Sequence, residues 1–112
     1  MKTVKWSEAA VAQTPHGVDV RKMLDTEHVQ VMCITLQPGE ALKRHITPVD
    51  AFFWGLQGQG VAEIGGERFD LGVNELINSP AGIPHRLLNE SDATFRVLVV
   101  KTPRPSENAK LL

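Results

Sequence analysis

The chain has 112 residues, enough for one hydrophobic core and too few for two, and folding at this size withdraws roughly two-thirds of the unfolded chain's surface from water. Its 12 basic and 13 acidic residues are mixed along the sequence and leave a formal net charge of -1, which excludes the concentrated charge that nucleic acid or an anionic membrane surface requires. No apolar run approaches the ~20 residues that span a bilayer, and the opening "MKTVKWSEAA" lacks the continuous apolar segment of a secretory signal, so the expected location is the cytoplasm.

In chain order, residues 1–16 read as an amino-terminal arm whose one helical candidate is a single turn near "SEAAVAQ", with Ser7 as its N-cap. Residues 17–101 then carry short runs rich in Val, Ile, Leu, Phe and Thr between turn residues, the punctuation of an all-β sandwich or barrel. The first two strands are "VDVRKML" and "HVQVMCITLQ"; the second holds Cys33, the single cysteine, which reads as a buried small hydrophobe. His16 and His28 are expected on the surface or in loops. "QPGE" at 37–40 is a Pro-Gly turn. Next comes "DAFFWGLQ", where an inward-facing Ala51 puts Phe53 and Gly55 on the same face and Phe52, Trp54 and Leu56 on the other. Both faces are apolar, as in a strand covered by the barrel interior on one side and by something else on the other. "VAEI" and "ERFDL" are joined through Gly65-Gly66 in a two-residue hairpin. "ELINS", "HRLLN", the polar turn "NESDA" and the final strand "TFRVLVVK" follow. The tail at 102–112, "TPRPSENAKLL", has two prolines and no periodicity, and is expected to leave the barrel as an extended arm.

Two segments carry a more specific signal. Gly39, His45, Thr47, Ala51 and Gly58 stand at the spacing G-x5-H-x-H-x3-E-x6-G, and Asn74, Pro80, Gly82, His85 and Asn89 at the spacing G-x5-P-x-G-x2-H-x3-N. With these paired motifs the chain resembles the cupins, and specifically a small single-domain cupin with a degenerate first motif. Asn74 replaces a motif glycine, and asparagine is the residue after glycine best able to take a left-handed conformation. The resemblance implies an all-β double-stranded β-helix, or jelly-roll barrel, as one domain over 1–112.

The resemblance also implies an interior site. In cupins two histidines and a glutamate of the first motif and the histidine of the second usually hold one divalent metal, and the matching positions here are His45, Thr47, Ala51 and His85. Alanine offers no donor and threonine a poor one, so the site is degraded, although the two imidazoles suit Fe, Mn, Ni, Zn or Cu. Asp50 replaces the missing carboxylate only if the backbone bulges, because strand alternation turns it to the opposite face from Ala51. By the same parity Lys43 shares the face of His45, within reach of the pocket mouth, while Arg44 and Arg86 point away; a solvated role is the expectation for each.

His45 and His85 are expected to converge across the barrel on a shared pocket with Thr47, Ala51 and Phe53, each imidazole able to act as an acid or base near neutral pH. Three functions compete. The favoured one is a small-molecule binding module whose partner is a small organic ligand. The second is a metal-dependent oxygenase, isomerase or lyase using His45 and His85 with waters or an unexpected third ligand. The third is a dimerisation scaffold. Small cupins commonly pair barrel to barrel, which predicts a homodimer with Phe52 or Trp54 at the interface; the rival cover for that face is the amino-terminal arm through Trp6.

Overall fold

Where apolar and polar residues alternate, the backbone extends and hides one face. In a computed structural model of residues 1–112, ten strands do so: β1 (Asp19–Asp25), β2 (Gln30–Leu36), β3 (His45–Ile46), β4 (Asp50–Gln57), β5 (Gly60–Ile64), β6 (Glu67–Leu71), β7 (Leu76–Ser79), β8 (His85–Leu88), β9 (Phe95–Thr102) and β10 (Lys110–Leu111). They form two five-stranded antiparallel sheets, in the orders β1-β2-β9-β4-β7 and β10-β3-β8-β5-β6. From β2 onward the chain crosses between the sheets at every step except the β5–β6 hairpin, so the fold is the expected jelly roll. Between the sheets lies a core that includes Val20, Ile34, Leu36, Phe53, Leu87, Phe95 and Val97. No helix is long and apolar enough to cross a membrane.

Register places the interior residues in rows. On the inner face of the first sheet, Met32, Val99, Phe53 and Ile77 are successive partners, and beside them run Gln30, Lys101, Ala51 and Ser79. On the second sheet, Ile64, His85, His45 and Leu111 form one row. Directly opposed residues of antiparallel strands share a face, so each row presents its side chains together.

The turns follow their residues. Ile64 pairs with Glu67 around Gly65 (φ 58) and Gly66 (φ 86), a two-residue hairpin whose positive φ angles favour glycine. Asn74 takes φ 64, the left-handed conformation expected of it. Gly55 answers a different demand, since a Cβ there would stand 1.9 Å from the carbonyl oxygen of Gly72.

The two motifs are stitched together by backbone and by one side chain. The Gly39 N–H donates to the Asn89 carbonyl, and the Asn89 N–H to the Glu40 carbonyl, each at 2.9 Å. Asn89 is 1% exposed; its Nδ2 donates to the carbonyls of Leu36 and Ala93, both at 2.8 Å, and its Oδ1 accepts from the Ser91 N–H and hydroxyl. This motif residue therefore locks the 89–94 turn onto the end of β2.

Both chain ends depart from expectation. The helical turn is a 3-10 turn over Trp6–Glu8; Lys5 stands at its N-cap without a side-chain hydrogen bond, and Ser7 lies inside the turn. The arm returns to β1 through a bridge between Val11 and Arg21. The tail does not leave the barrel. Arg104 pairs with Asp25, holding that carboxyl down to about 2, and residues 110–111 add β10 to the edge of β3. An unpaired edge at β3 supplies the N–H and C=O groups that draw the tail back.

Because Asn89→Ala removes the donors of two buried or part-buried carbonyls, it should lower stability by about 2–4 kcal/mol in urea unfolding while keeping the β-rich far-UV spectrum. A change below about 0.5 kcal/mol would show that the turn is held by something else.

Candidate ligand-binding site

His45 and His85 do meet, but as cross-strand partners in one sheet and not from opposite sides of the barrel. Their rings stand edge to face at 4.5 Å, with Nε2 to Nε2 at 3.1 Å. Both are buried, at 6% and 3% exposed. The surrounding hydrogen bonds assign every proton. His45 Nδ1–H donates to the Lys43 carbonyl at 2.8 Å, which leaves a lone pair on its Nε2. His85 Nε2–H then points to that lone pair, shared with Thr47 Oγ1 at 3.1 Å, and His85 Nδ1 accepts from the Ser79 hydroxyl at 2.6 Å. Both rings are neutral in this arrangement.

A third imidazole joins them. His16, expected in a surface loop, packs its ring 4.9 Å from that of His45, and its Nδ1 accepts the Lys43 N–H at 2.9 Å. Lys43 thus meets both histidines through its backbone; its side chain is exposed and does not line the cavity. His28 lies exposed in its turn, as expected.

These residues open on a cavity of about 470 Å³, within the size range of small-molecule sites. Phe53, whose ring is 5.4 Å from that of His85, forms the walls with Val20, Met32, Ile34, Leu87 and Val99. Residues 13–16 of the arm and Asn108, Ala109 and Leu111 of the tail complete the rim. Thr47 lines an adjoining polar cavity, and Ala51 is buried beside Ser79 and Lys101 without lining either.

Sequence reading missed Lys101. It lines both cavities, and it shares the inward parity of Val97 and Val99, so alternation along "TFRVLVVK" was the available signal. Ser79 was legible in the same way. His16 and the tail residues had no such signal, because loops carry no periodicity.

Electrostatically the cavity is poor in negative charge. No aspartate or glutamate lines it. Desolvation, then the neighbouring His45 and Lys101, brings His85 down to about 4; desolvation, then His45 and the two lysines, does the same for His16. His45 is lowered chiefly by burial, and burial also lowers the Lys101 ammonium. The predicted outward course holds for Arg44, whose Nη2 donates to Glu63 Oε1 at 2.7 Å; Arg86 Nη2 donates to Oε2 of the same carboxylate at 3.3 Å, but Arg86 also lines the cavity, contrary to expectation. Asp50 is exposed and caps the Ala81 N–H at 2.9 Å, so no bulge turns it inward.

The donor set does not fit the metal that the family frequently carries. Two neutral imidazoles and a neutral hydroxyl bring no anionic ligand, the lone pair of His45 Nε2 is engaged by His85, and the Lys101 charge opposes a dication.

Comparison with known proteins agrees with this architecture. The cupin domain model matches residues 32–101, and the chain belongs to the cupin family. The TT1209 protein from Thermus thermophilus is similar at TM-score 0.80 and 29% identity, covering 94% of this chain and 100% of its own. The polyketide cyclase RemF from Streptomyces resistomycificus superposes at TM-score 0.85 and 20% identity, over 100% of this chain and 85% of that one. A predicted oxalate decarboxylase from Thermotoga maritima does so at 0.78 and 18%, over 99% and 100%. No match was found among curated protein sequences. The named activities differ, so the shared barrel assigns none of them here.

The depressed histidines make stability depend on pH. Above the ordinary value of 6.5 native and unfolded rings are both neutral; between 6.5 and about 4 the unfolded chain takes up protons that native His85 refuses, so stability falls as pH falls and levels off below about 4. For His85 alone this is on the order of 3 kcal/mol. Ring-nitrogen NMR should find His85 neutral at pH 7 and titrating near 4, and a midpoint near 6.5 would refute the buried network.

Proposed function

We propose that this cupin is a small-molecule binding protein that holds an organic ligand in the barrel without a resident metal. The observation that carries the reading is the cavity of about 470 Å³, walled by Phe53, Ile34, Val99 and Leu87 and bordered by the neutral His45–His85 pair. Apolar walls supply affinity through burial, and a few fixed polar groups orient what is bound. Thr47 and Ala51 support the reading as well, since they replace two ligands of the family's metal by residues that bring no charge.

Its test is metal-stripped protein titrated with an uncharged aromatic fragment set and followed by NMR. Bound fragments should shift the signals of His45, Phe53 and Val99, and Val99→Phe, which fills the cavity, should weaken binding about tenfold or more. Elemental analysis after exposure to Fe, Mn, Ni, Zn and Cu should find no stoichiometric metal. About one ion per chain, lost in His85→Ala and required for fragment binding, would replace this reading by the metalloenzyme.

We also propose that the barrel pairs with a second copy through the outer face of the first sheet. Phe52 and Trp54 are half-buried there, in rows with Val31 and Leu98, and Leu24 and Leu76 are 47% and 56% exposed. Trp6 covers the other end, held between the guanidinium groups of Arg21 and Arg96 at 3.9 and 3.7 Å. A continuous apolar face of this kind suits an isologous contact. Sedimentation should find a dimer that Trp54→Glu converts to monomer; a monomeric parent at micromolar concentration would end the proposal.

A further inference from the structure

We propose that the ligand is an organic monoanion, a carboxylate whose headgroup pairs with Lys101 while its apolar body lies against Phe53, Val99, Met32 and Ile34. The inference rests on the reading of the cavity as a binding site and adds the chemical class of what enters it.

Four observations carry it. Lys101 points inward from β9 in the row Gln30–Lys101–Ala51–Ser79, one strand from the position where the family places its inward glutamate. Its ammonium makes no ion pair and no side-chain hydrogen bond, although most of the other basic groups of the barrel wall, Arg21, Arg44, Arg86 and Lys22, have acidic partners. No carboxylate lines the main cavity that it faces. The one acidic residue of the adjoining cavity, Glu107, is exposed on the tail and does not bridge to it. Lys101 is half-buried, and an ammonium partly desolvated without a counter-charge is unfavourable, a cost that an anion supplied from outside reduces.

The rest of the cavity narrows the class. Three imidazoles border it, all held neutral by their hydrogen bonds and surroundings, and the second cation that lines it, Arg86, is paired with Glu63, so Lys101 is the one positive charge of this largely apolar chamber without a counter-charge. A single fixed ammonium matches one negative charge; the cluster of arginines or backbone amides that a phosphate requires is lacking. His16 accepts the Lys43 N–H at Nδ1 and therefore carries its proton on Nε2, which gives the chamber a second donor for the same headgroup. Exchange of the family's glutamate for Ala51 is then coherent with Lys101. Where cupins set an anionic side chain against a metal cation, this chain sets a cationic side chain against an anionic ligand.

The experiment compares three probes of one shape, 4-phenylbutyrate, 4-phenylbutanamide and 4-phenylbutylamine, titrated into metal-stripped full-length protein at pH 7.5 and followed by NMR at His45, Phe53 and Val99. The carboxylate should bind about tenfold or more tightly than the amide, and the amine weakest of the three. Lys101→Met should abolish that order while leaving amide affinity within about twofold, and Lys101→Arg should keep it. Equal binding of acid and amide by the parent protein, or an order that survives Lys101→Met, would overturn the anion proposal and leave the cavity reading standing. Binding of none of the three, or binding that leaves those three signals unmoved, would overturn both. Comparing the probes on the parent protein decides the matter even if Lys101→Met does not fold.

Discussion

Inside this barrel a chain of hydrogen bonds runs from Ser79 through His85 and His45 to the backbone of Lys43, and it joins the two sheets at the place where the core stops being purely apolar. Buried polar groups are tolerated only when each donor meets an acceptor. Here the condition is met by neutral side chains alone. A proton added to either ring would break the pattern and place a charge in a desolvated space already under the field of Lys101, which is why burial and Lys101 act in the same direction on all three histidines. The interior is thus built to keep its imidazoles uncharged; what sets it apart from a metal-ligating histidine pair is the missing carboxylate, the engagement of the His45 Nε2 lone pair by His85 and the nearby Lys101 ammonium.

Register explains how a few exchanges alter the chemistry of a whole chamber. Ala51 lies between Ser79 and Lys101 in one row, so loss of a carboxylate at that position leaves a hydroxyl on one side and an ammonium on the other. Thr47 keeps a hydrogen bond to His85 but brings no charge. These substitutions act together because a sheet places cross-strand partners on a common face, whatever their separation along the chain.

The chain ends have a part in the site as well as in the fold. The arm brings His16 against His45, and the tail, tethered by Arg104 to Asp25, returns to pair with β3 and lays Asn108, Ala109 and Leu111 along the rim. Few buried apolar residues hold either segment: β10 is exposed throughout, and the amino-terminal turn buries none of its residues. The cavity is accordingly bordered in part by the least anchored segments of the molecule.

Alternation and turn chemistry made the eight longer strands legible, since a half-buried strand and a glycine turn are local consequences of side-chain size and backbone freedom. Motif spacing did the same for the barrel and for the convergence of His45 with His85, and parity along β9 carried a signal for Lys101 that sequence reading passed over. Local patterning and spacing therefore specify the fold, the inward residues and the loss of two family metal ligands. Only the folded chain shows that β3 and β10 exist, that the two histidines are neighbours in one sheet, that His16 joins them and that the tail closes over the rim. Each of those features joins segments distant in the chain through an open strand edge or a loop, and neither edge pairing nor loop placement leaves a periodic trace in the residues that make it.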